Sequence, residues 1–203
     1  MGGIFIAVTG PSGSGKTSVC KALLAGFPQL RFSVSLTTRP PRPSEVDGED
    51  YRFVSEAEFR ERIRRGDLIE WAENYGQLYG TSREDMEQAL KGNDLLLDVD
   101  TRGARALKKA WPGGIFVFIV PPSIGELERR LRGRGSETEE TIRRRFDNAL
   151  REIREIVWYD YVIVNDELDA AIDRLRAVYL AETCRRERMM EQIKPFFDRS
   201  GGV

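Results

Sequence analysis

The feature that most constrains this chain is a glycine-rich segment placed almost directly after an apolar run. Ile4–Val8 consists of buried-type residues, and Gly10–Thr17 then reads G-P-S-G-S-G-K-T. A strand that opens through such a loop into a helix can place successive backbone N–H groups around a polyphosphate, at the positive end of the helix. The pattern G-x-x-x-x-G-K-S/T therefore predicts a phosphate loop, rather than a merely glycine-rich turn.

The residue types of this phosphate loop predict individual contacts. The ammonium group of Lys16 would reach the β- and γ-phosphates of a nucleoside triphosphate, and the hydroxyl of Thr17 would hold Mg²⁺. The residues expected to bind this triphosphate are Pro11, Ser12, Gly13, Ser14, Gly15, Lys16, Thr17 and Ser18.

Bulk composition predicts one domain with no global attraction to a polyanion. The chain has 203 residues, with 32 Lys and Arg against 33 Asp and Glu, so the net charge is −1. We therefore expect neither a nucleic-acid polymer nor a membrane surface as partner. No run approaches the roughly 18 apolar residues of a membrane span, and no leader is recognisable, so we expect a cytoplasmic protein with reduced Cys20 and Cys184.

The chain contains no histidine, which excludes Ser/His/Asp triads and imidazole bases. Catalysis would have to rely on positioning, cations and carboxylates. Transfer of a phosphoryl group onto another phosphate suits this restriction, because the accepting oxygen, with a second pKa of about 6, is already largely ionised near neutral pH.

Alternating apolar and amphipathic segments predict an α/β fold with a doubly wound parallel sheet. Leu95–Leu97, Ile115–Val120 and Tyr161–Val164 are typical of buried strands, whereas Ile142–Val157 and Leu168–Tyr179 carry apolar residues at helical spacing. Ligands of such folds bind beyond the carboxyl ends of the strands.

Two regions interrupt this alternation. Residues 33–82 contain a proline-rich turn and short strand-like pieces, Tyr51–Phe53 and Leu68–Trp71, around a helix near Glu56–Arg65, which predicts an inserted subdomain. Residues 129–140 contain four arginines within six positions and then an acidic run. Two glycine hinges favour a lid there, with Ser136 or Thr138 capping the next helix.

Carboxylates and arginines outside the loop complete a candidate site for phosphoryl transfer. Asp98 follows a buried strand, the usual place for a carboxylate that binds Mg²⁺, although an aspartate there can also mark only a turn. Arg39 and Arg42 flank two prolines and could grip a phosphate monoester, or could be surface residues of a solvated turn. Arg134 and Arg145 could close onto the transferring group, or could pair with the acidic run on a wet surface.

In this order, the segments resemble the guanylate kinase family, whose members phosphorylate GMP with ATP. The resemblance covers about residues 4–180. The matching segments are the phosphate loop, 33–39 with Arg42, 47–51, 69–71, 79–82, 97–100, 132–134 with 137–140, Arg145 and 165–169. Arg102 and Leu78 depart from the usual pattern, which more often has Gln and a second aromatic residue at these positions.

The resemblance implies roles for individual residues. Arg39, Arg42, Tyr51 and Tyr79 would hold the GMP phosphate, and Ser35, Glu70 and Thr81 would face guanine, with Asp98 and Asp100 completing the GMP site. A carboxylate such as Glu70 accepts hydrogen bonds from the ring N1–H and the exocyclic amine, which guanine presents together and adenine does not.

The resemblance also implies the catalytic groups and the layout of the chain. The catalytic residues would be Lys16, Arg42, Arg134 and Arg145, with Asn165 near the ATP adenine and Mg²⁺ held by Thr17 and Asp98. The single P-loop kinase domain would combine a core (about 1–32, 83–125 and 158–203), a GMP-binding lobe (about 33–82) and a lid (about 126–157).

Two other functions remain open at this point. Guanylate-kinase-like domains can be catalytically silent binding modules that take phosphorylated peptides, but these characteristically lose the phosphate loop. A P-loop kinase of another small phosphate ester is the second alternative. A GTPase is less compatible with the chain, because the Asn-Lys-x-Asp guanine motif is absent. The apolar residues of the tail, such as Phe196 and Phe197, favour a last helix docked on its own domain over a dimer contact, and the protein could be a monomer or a homodimer.

Overall fold

The structure is a computed structural model that describes residues 2–43, 45–74, 76–133 and 138–198. The strands within these residues are β1 (Phe5–Thr9), β2 (Leu30–Phe32), β3 (Ser35–Thr37), β4 (Tyr51–Phe53), β5 (Leu68–Asn74), β6 (Gln77–Ser82), β7 (Asp94–Asp98), β8 (Ile115–Val120) and β9 (Tyr161–Val164). The helices are α1 (Lys16–Gly26), α2 (Glu56–Arg65), α3 (Arg83–Ala89), α4 (Thr101–Ala110), α5 (Ile124–Arg132), α6 (Glu139–Arg154), α7 (Leu168–Thr183) and α8 (Arg186–Asp198).

The larger sheet is parallel and has the strand order β2-β7-β1-β8-β9. Ala7 in the central strand lies opposite Leu97 on one side and Phe116 on the other, and all three are fully or almost fully buried. Apolar cores pack on both faces of the sheet, which is why its strands are continuous apolar runs. This architecture confirms the α/β fold class that the sequence predicts.

Strand order places the phosphate loop at a topological switch point. The chain leaves β1 and pairs later strands on opposite sides of it, with β7 on one side and β8 on the other. The residues after Thr9 and Asp98 therefore emerge beside each other at the carboxyl edge, where open α/β sheets form ligand clefts.

The smaller sheet, of order β4-β3-β6-β5, is mixed, because β3 pairs parallel with β4 and antiparallel with β6. It has a core of its own, formed by Leu36, Phe59, Leu68 and Leu78. Ser55 caps α2 by accepting a hydrogen bond from the backbone of Glu58, and the helix then buries Phe59 against the sheet.

Helices α5 and α6 form a separate layer around Leu127, Leu131, Ile142 and Ala149. Thr138, one of the two residues predicted to cap α6, accepts a hydrogen bond from the backbone N–H of Thr141 at the start of this helix. The prediction that Val157 belongs to the apolar face of this helix is wrong, since 86% of its surface is exposed. The reason is that α6 ends at Arg154, and a 3₁₀ helix over Glu155–Trp158 changes the direction of the side chains.

The tail forms α8, which contains Pro195. Met190, Phe196 and Phe197 keep much of their surface exposed, so the expected docking of this helix does not extend to all of its apolar residues. Among the described residues, no helix combines the length and apolar character needed to cross a bilayer.

Candidate active site

A cleft of about 490 Å³ opens at the carboxyl edge of the larger sheet. It is bounded by the phosphate loop, the end of β7, the smaller sheet and one face of α6. The predicted residues that line it are Pro11, Ser12, Gly13, Ser14, Gly15, Lys16, Thr17, Ser18, Ser35, Tyr51, Glu70, Tyr79, Asp98, Asp100 and Arg145. Folding thus brings together most of the two sets of residues predicted from separate motifs.

Close approach of a neighbouring strand explains one glycine of the phosphate loop, and backbone conformation explains another. A Cβ atom on Gly10 would lie 2.3 Å from the carbonyl oxygen of Ile119 in the neighbouring strand. Gly15, directly before α1, has a φ of 83°, in the left-handed region that other residues rarely adopt. The loop can therefore pack tightly on the sheet before α1, and all of its residues line the cleft.

Lys16 and Asp98 form an ion pair across the cleft floor. Lys16 begins α1 and Asp98 ends β7, and the Nζ of the lysine donates a hydrogen bond to Oδ1 of the aspartate. Burial alone would lower the pKa of Lys16, but the charge of Asp98 and its hydrogen bond more than offset burial, so that the pKa is raised. The lysine is thus positively charged and held at the mouth of the phosphate loop.

Two oxygen-bearing side chains of the cleft suit a magnesium ion that is shared with a nucleotide. Thr17 and Asp98 both line the cleft and offer a hydroxyl and a carboxylate oxygen. Among the described residues, no group of three or more His, Cys, Asp or Glu side chains could hold a metal. Mg²⁺ commonly takes one or two protein oxygens together with substrate phosphates and waters, so these residues fit a nucleotide-bound ion rather than a closed protein cage.

Glu70 lies buried at the smaller-sheet end of the cleft. It faces Thr81 across β5 and β6, next to an irregularity in their register, and the Thr81 hydroxyl donates a 2.6 Å hydrogen bond to its Oε1. Burial raises the pKa of Glu70 to about 7, and the negative charge of Asp100 adds to the rise, although the bond from Thr81 opposes it. A buried carboxyl with this pKa can lose its proton near neutral pH and then accept hydrogen bonds from a ligand.

Arg39 lies beside an aromatic pair near the cleft. Its guanidinium group makes two hydrogen bonds, of 2.8 and 2.9 Å, to the carboxylate of Glu45, and lies 5.2 Å from the centre of the Tyr51 ring. The rings of Tyr51 and Tyr79 are 6.1 Å apart and both line the cleft. The hydrogen bonds from Arg39 lower the pKa of Glu45 to about 2, so this carboxylate stays charged and fixes the arginine.

Some predicted residues do not line the cleft. Arg39 lies near the cleft but does not line it, the side chain of Arg42 is 72% exposed, and Thr81 and Asn165 are buried. Asn165 donates from its Nδ2 to the backbone carbonyl of Ser14, at 2.7 Å, which places it against the phosphate loop. Arg134 lies outside the described residues.

One face of α6 adds a residue that sequence reasoning missed. Glu152 lines the cleft two helical turns after Arg145, on the same face of the helix, with Asn148 between them. Burial raises the pKa of Glu152 to about 7, assisted by Asp100 and opposed by the positive charge of Lys16. The seven-residue spacing from a predicted arginine was the available signal, because positions that far apart share a helix face.

Comparison with known proteins assigns the chain to a family. The guanylate kinase family profile matches residues 4–182. The guanylate kinase of Geobacter metallireducens is 49% identical over 97% of each chain, and that of Syntrophus aciditrophicus is 51% identical over 97% of this chain and 95% of the relative. The chain belongs to the guanylate kinase family.

A solved structure supports the same assignment at the level of the fold. The crystal structure of guanylate kinase from Anaplasma phagocytophilum aligns with a TM-score of 0.77 and 32% identity, over 97% of this chain and 96% of that chain. The resemblance seen in the sequence motifs is thereby confirmed. As a guanylate kinase family member, the protein is assigned to the nucleoside monophosphate kinases.

Proposed function

We propose that the protein transfers the γ-phosphoryl group of ATP to GMP, giving GDP and ADP. The observation that carries this proposal is the presence of the phosphate loop and of the buried Glu70 carboxyl in one cleft. The first suits a triphosphate and the second suits the hydrogen-bond donors of guanine, so the two ends of the cleft would take different nucleotides.

Acceptor recognition would use the smaller sheet, which we propose as the GMP-binding lobe of a single-domain kinase. Glu70, oriented by Thr81, would accept hydrogen bonds from N1–H and the exocyclic amine of guanine, with Ser35 beside it. Tyr51, Tyr79 and the guanidinium groups of Arg39 and Arg42 would take the phosphate. A guanidinium next to an aromatic ring is well suited to bidentate phosphate binding.

Donor binding and transfer would use the other end of the cleft. The loop backbone and Lys16 would hold the β- and γ-phosphates, and Asn165 would act on the ATP side. Thr17 and Asp98 would hold Mg²⁺, which would neutralise charge on the phosphates when bound. Arg145, together with Arg42 and Arg134, would stabilise the charge that develops on the transferring group, most strongly where water is excluded.

The two alternative functions, a silent binding module and a kinase of another phosphate ester, would each leave part of this cleft without a use. A silent binding module would have no use for a charged Lys16 paired with a carboxylate at the mouth of an intact phosphate loop. A kinase of another small phosphate ester would have no use for a buried carboxylate at the far end of the cleft. The presence of both features favours catalysis on a guanine nucleotide.

The test is an acceptor panel. ADP release is measured with ATP and Mg²⁺ and with GMP, IMP, AMP or UMP as acceptor. We expect turnover with GMP to exceed turnover with the other three. Equal activity with AMP and GMP would contradict the role of Glu70, and ADP release with none of the four would favour a binding module.

A further inference from the structure

Asn165 lies directly after β9 and is only 4% exposed. Its backbone N–H donates to the carbonyl of Val120 at 2.8 Å, which extends the pairing between β8 and β9 by one residue. Its backbone carbonyl accepts a 3.1 Å hydrogen bond from Arg130 of α5. The residue is therefore anchored on two sides by elements outside the phosphate loop.

The side chain of Asn165 reaches the loop from this anchored position. Its Nδ2 donates a 2.7 Å hydrogen bond to the backbone carbonyl of Ser14. A Cβ atom on Gly15 would lie 2.2 Å from the same nitrogen, so the loop is folded closely around the amide. Contact this close requires glycine at the next position, and it leaves little freedom for the peptide between Ser14 and Gly15.

The orientation of this peptide has a direct consequence for phosphate binding. In a planar trans peptide, the carbonyl oxygen and the amide hydrogen point in opposite directions. Because the Ser14 carbonyl points towards Asn165, the N–H of Gly15 points away from it, and Gly15 itself lines the cleft. A phosphate loop depends on the orientation of its N–H groups towards the phosphates.

We propose that Asn165 is a positioning residue, which holds the Ser14–Gly15 peptide in the orientation that binds the donor polyphosphate. The proposal rests on the proposed function, since it assumes that the loop binds ATP. It differs from the adenine contact that the family resemblance implies, because its effect reaches every donor with a polyphosphate, whatever the base. It also predicts that GMP binding at the other end of the cleft is independent of this residue.

The test compares Asn165→Asp and Asn165→Ala with the wild-type protein. Asn165→Asp keeps the size and one acceptor oxygen but replaces the Nδ2 donor with a second oxygen that faces the Ser14 carbonyl. Asn165→Ala removes the hydrogen bond without adding charge. The matched control is Asp166→Asn, the reverse exchange at the next residue, whose exposed carboxylate pairs with Arg174 at 2.8 Å outside the cleft.

Equilibrium binding is measured by calorimetry for ATP, GTP, inorganic tripolyphosphate and GMP, and kcat and donor KM are measured for the same variants. We expect both Asn165 variants to weaken binding of ATP, GTP and tripolyphosphate to a similar extent, by about tenfold, the effect of losing one buried hydrogen bond. We expect donor KM to rise accordingly and GMP affinity to stay within about twofold of wild type, which is about 0.4 kcal/mol. Asp166→Asn should behave as wild type.

Three results would overturn the proposal. Weaker binding of ATP with unchanged binding of tripolyphosphate would make Asn165 a reader of adenine. Parallel losses for GMP and donors would indicate a general effect on the fold, and losses in Asn165→Asp without losses in Asn165→Ala would indicate only charge repulsion. Tripolyphosphate binding is measured without turnover, so a wild-type protein that fails to phosphorylate GMP would contradict the proposed function and leave this test intact.

Discussion

The hydroxyl of Thr81 donates a 2.6 Å hydrogen bond to Oε1 of Glu70, inside the smaller sheet. Both residues are almost fully buried, so this bond fixes the orientation of the carboxyl group. The second oxygen, Oε2, lies close to the first turn of α4, where a Cβ atom on Gly103 would be only 2.9 Å away. The carboxyl is thus confined from two sides, which is the confinement that the proposed selection of a base by hydrogen-bond geometry needs.

Replacing Glu70 by Gln is expected to reduce discrimination between GMP and IMP. Guanine offers N1–H and an exocyclic amine to the two carboxylate oxygens, whereas the base of IMP lacks the amine; Gln offers only one acceptor. The ratio of kcat/KM for GMP over IMP should fall by about tenfold or more, which corresponds to one charge-assisted hydrogen bond. Glu73→Gln, an exposed position on the same strand, is the control. An unchanged ratio in Glu70→Gln would contradict the assignment.

Binding of GMP should depend on pH through the titration of Glu70. Burial raises its pKa to about 7, and in the proposed function GMP binds the ionised form, so GMP affinity should increase as the pH rises from 6 to 8. The second pKa of the GMP phosphate, about 6, contributes in the same range. Titration in the Glu70→Gln background isolates the contribution of the carboxyl group. A pH dependence that is identical in both proteins would show that Glu70 does not titrate on binding.

The same pKa values predict how the empty protein responds to pH. For Glu70 and Glu152, the pKa is about 7 in the folded protein and near 4.5 without burial, so between these values the folded protein retains protons that the unfolded chain has lost. Their contribution to the free energy of unfolding is therefore greatest below pH 4.5 and declines as the pH rises to 7. Between pH 5 and 7, a span of about two pH units, the free energy of unfolding should fall more in the wild type than in the Glu70→Gln, Glu152→Gln double variant. Denaturant unfolding of the two proteins measures this difference.

Gly103→Ala should weaken GMP binding without lowering the stability of the protein. A Cβ atom there would crowd Oε2 of Glu70 and shift the carboxyl group, whereas alanine inside a helix is favoured over glycine by about 1 kcal/mol. We expect KM for GMP to rise severalfold with unchanged KM for ATP and an unchanged or higher melting temperature. Gly125→Ala in α5, where nothing lies closer than 3.9 Å to the added atom, is the matched control. A lower melting temperature with an unchanged KM for GMP would contradict the predicted crowding.

Lys16→Ala should abolish most transfer and leave the fold intact. The lysine carries the positive charge at the mouth of the phosphate loop, and its removal leaves the partly exposed Asp98 without this partner. The rate should fall by orders of magnitude, since cationic groups at the transferring phosphates contribute a large part of catalysis. Circular dichroism should be unchanged. Lys21→Ala, an exposed position on the same helix, is the control, and near-normal turnover in Lys16→Ala would mean that the phosphate loop is misassigned.

Deletion of residues 186–203 should lower stability without changing the apparent mass. Met189 and Gln192 of α8 border a cavity of about 260 Å³ together with Gly3 and Ile4, so the helix lies near the start of β1. Thermal unfolding and sizing chromatography of the two proteins provide the measurement. A change from dimer to monomer on deletion would show that α8 forms an interface instead.

The core strands were predictable because their apolar runs are contiguous, as in Ile115–Val120, which matches β8 in full. The strands β2, β3 and β6 were not predicted, and two of them show why. Leu30–Phe32 is a three-residue edge strand with an arginine at its centre, and Gln77–Ser82 mixes a glycine with polar residues. These segments become strands because of the partners they pair with, β7 for the first and β3 and β5 for the second, and such pairing is not encoded locally.

In the candidate site, too, residues of a local motif were predictable and contacts between distant segments were not. The phosphate loop could be predicted because its function depends on adjacent residues. For Glu152 the only signal was its helical spacing from Arg145, because it reaches the cleft through the packing of α6. The bond of Asn165 to Ser14 had no local signal, because it joins residues 151 positions apart. Family resemblance places residues in a common site, but their contacts depend on tertiary packing.

The most direct test of the central claim follows the terminal phosphoryl group itself. ATP carrying radioactive phosphorus at the γ position is incubated with the protein, Mg²⁺ and GMP, and the products are separated. Direct transfer between two nucleotides in one cleft predicts that the label accumulates in GDP, in amounts equal to the ADP formed, with little inorganic phosphate. Label released as inorganic phosphate in place of GDP would contradict the account.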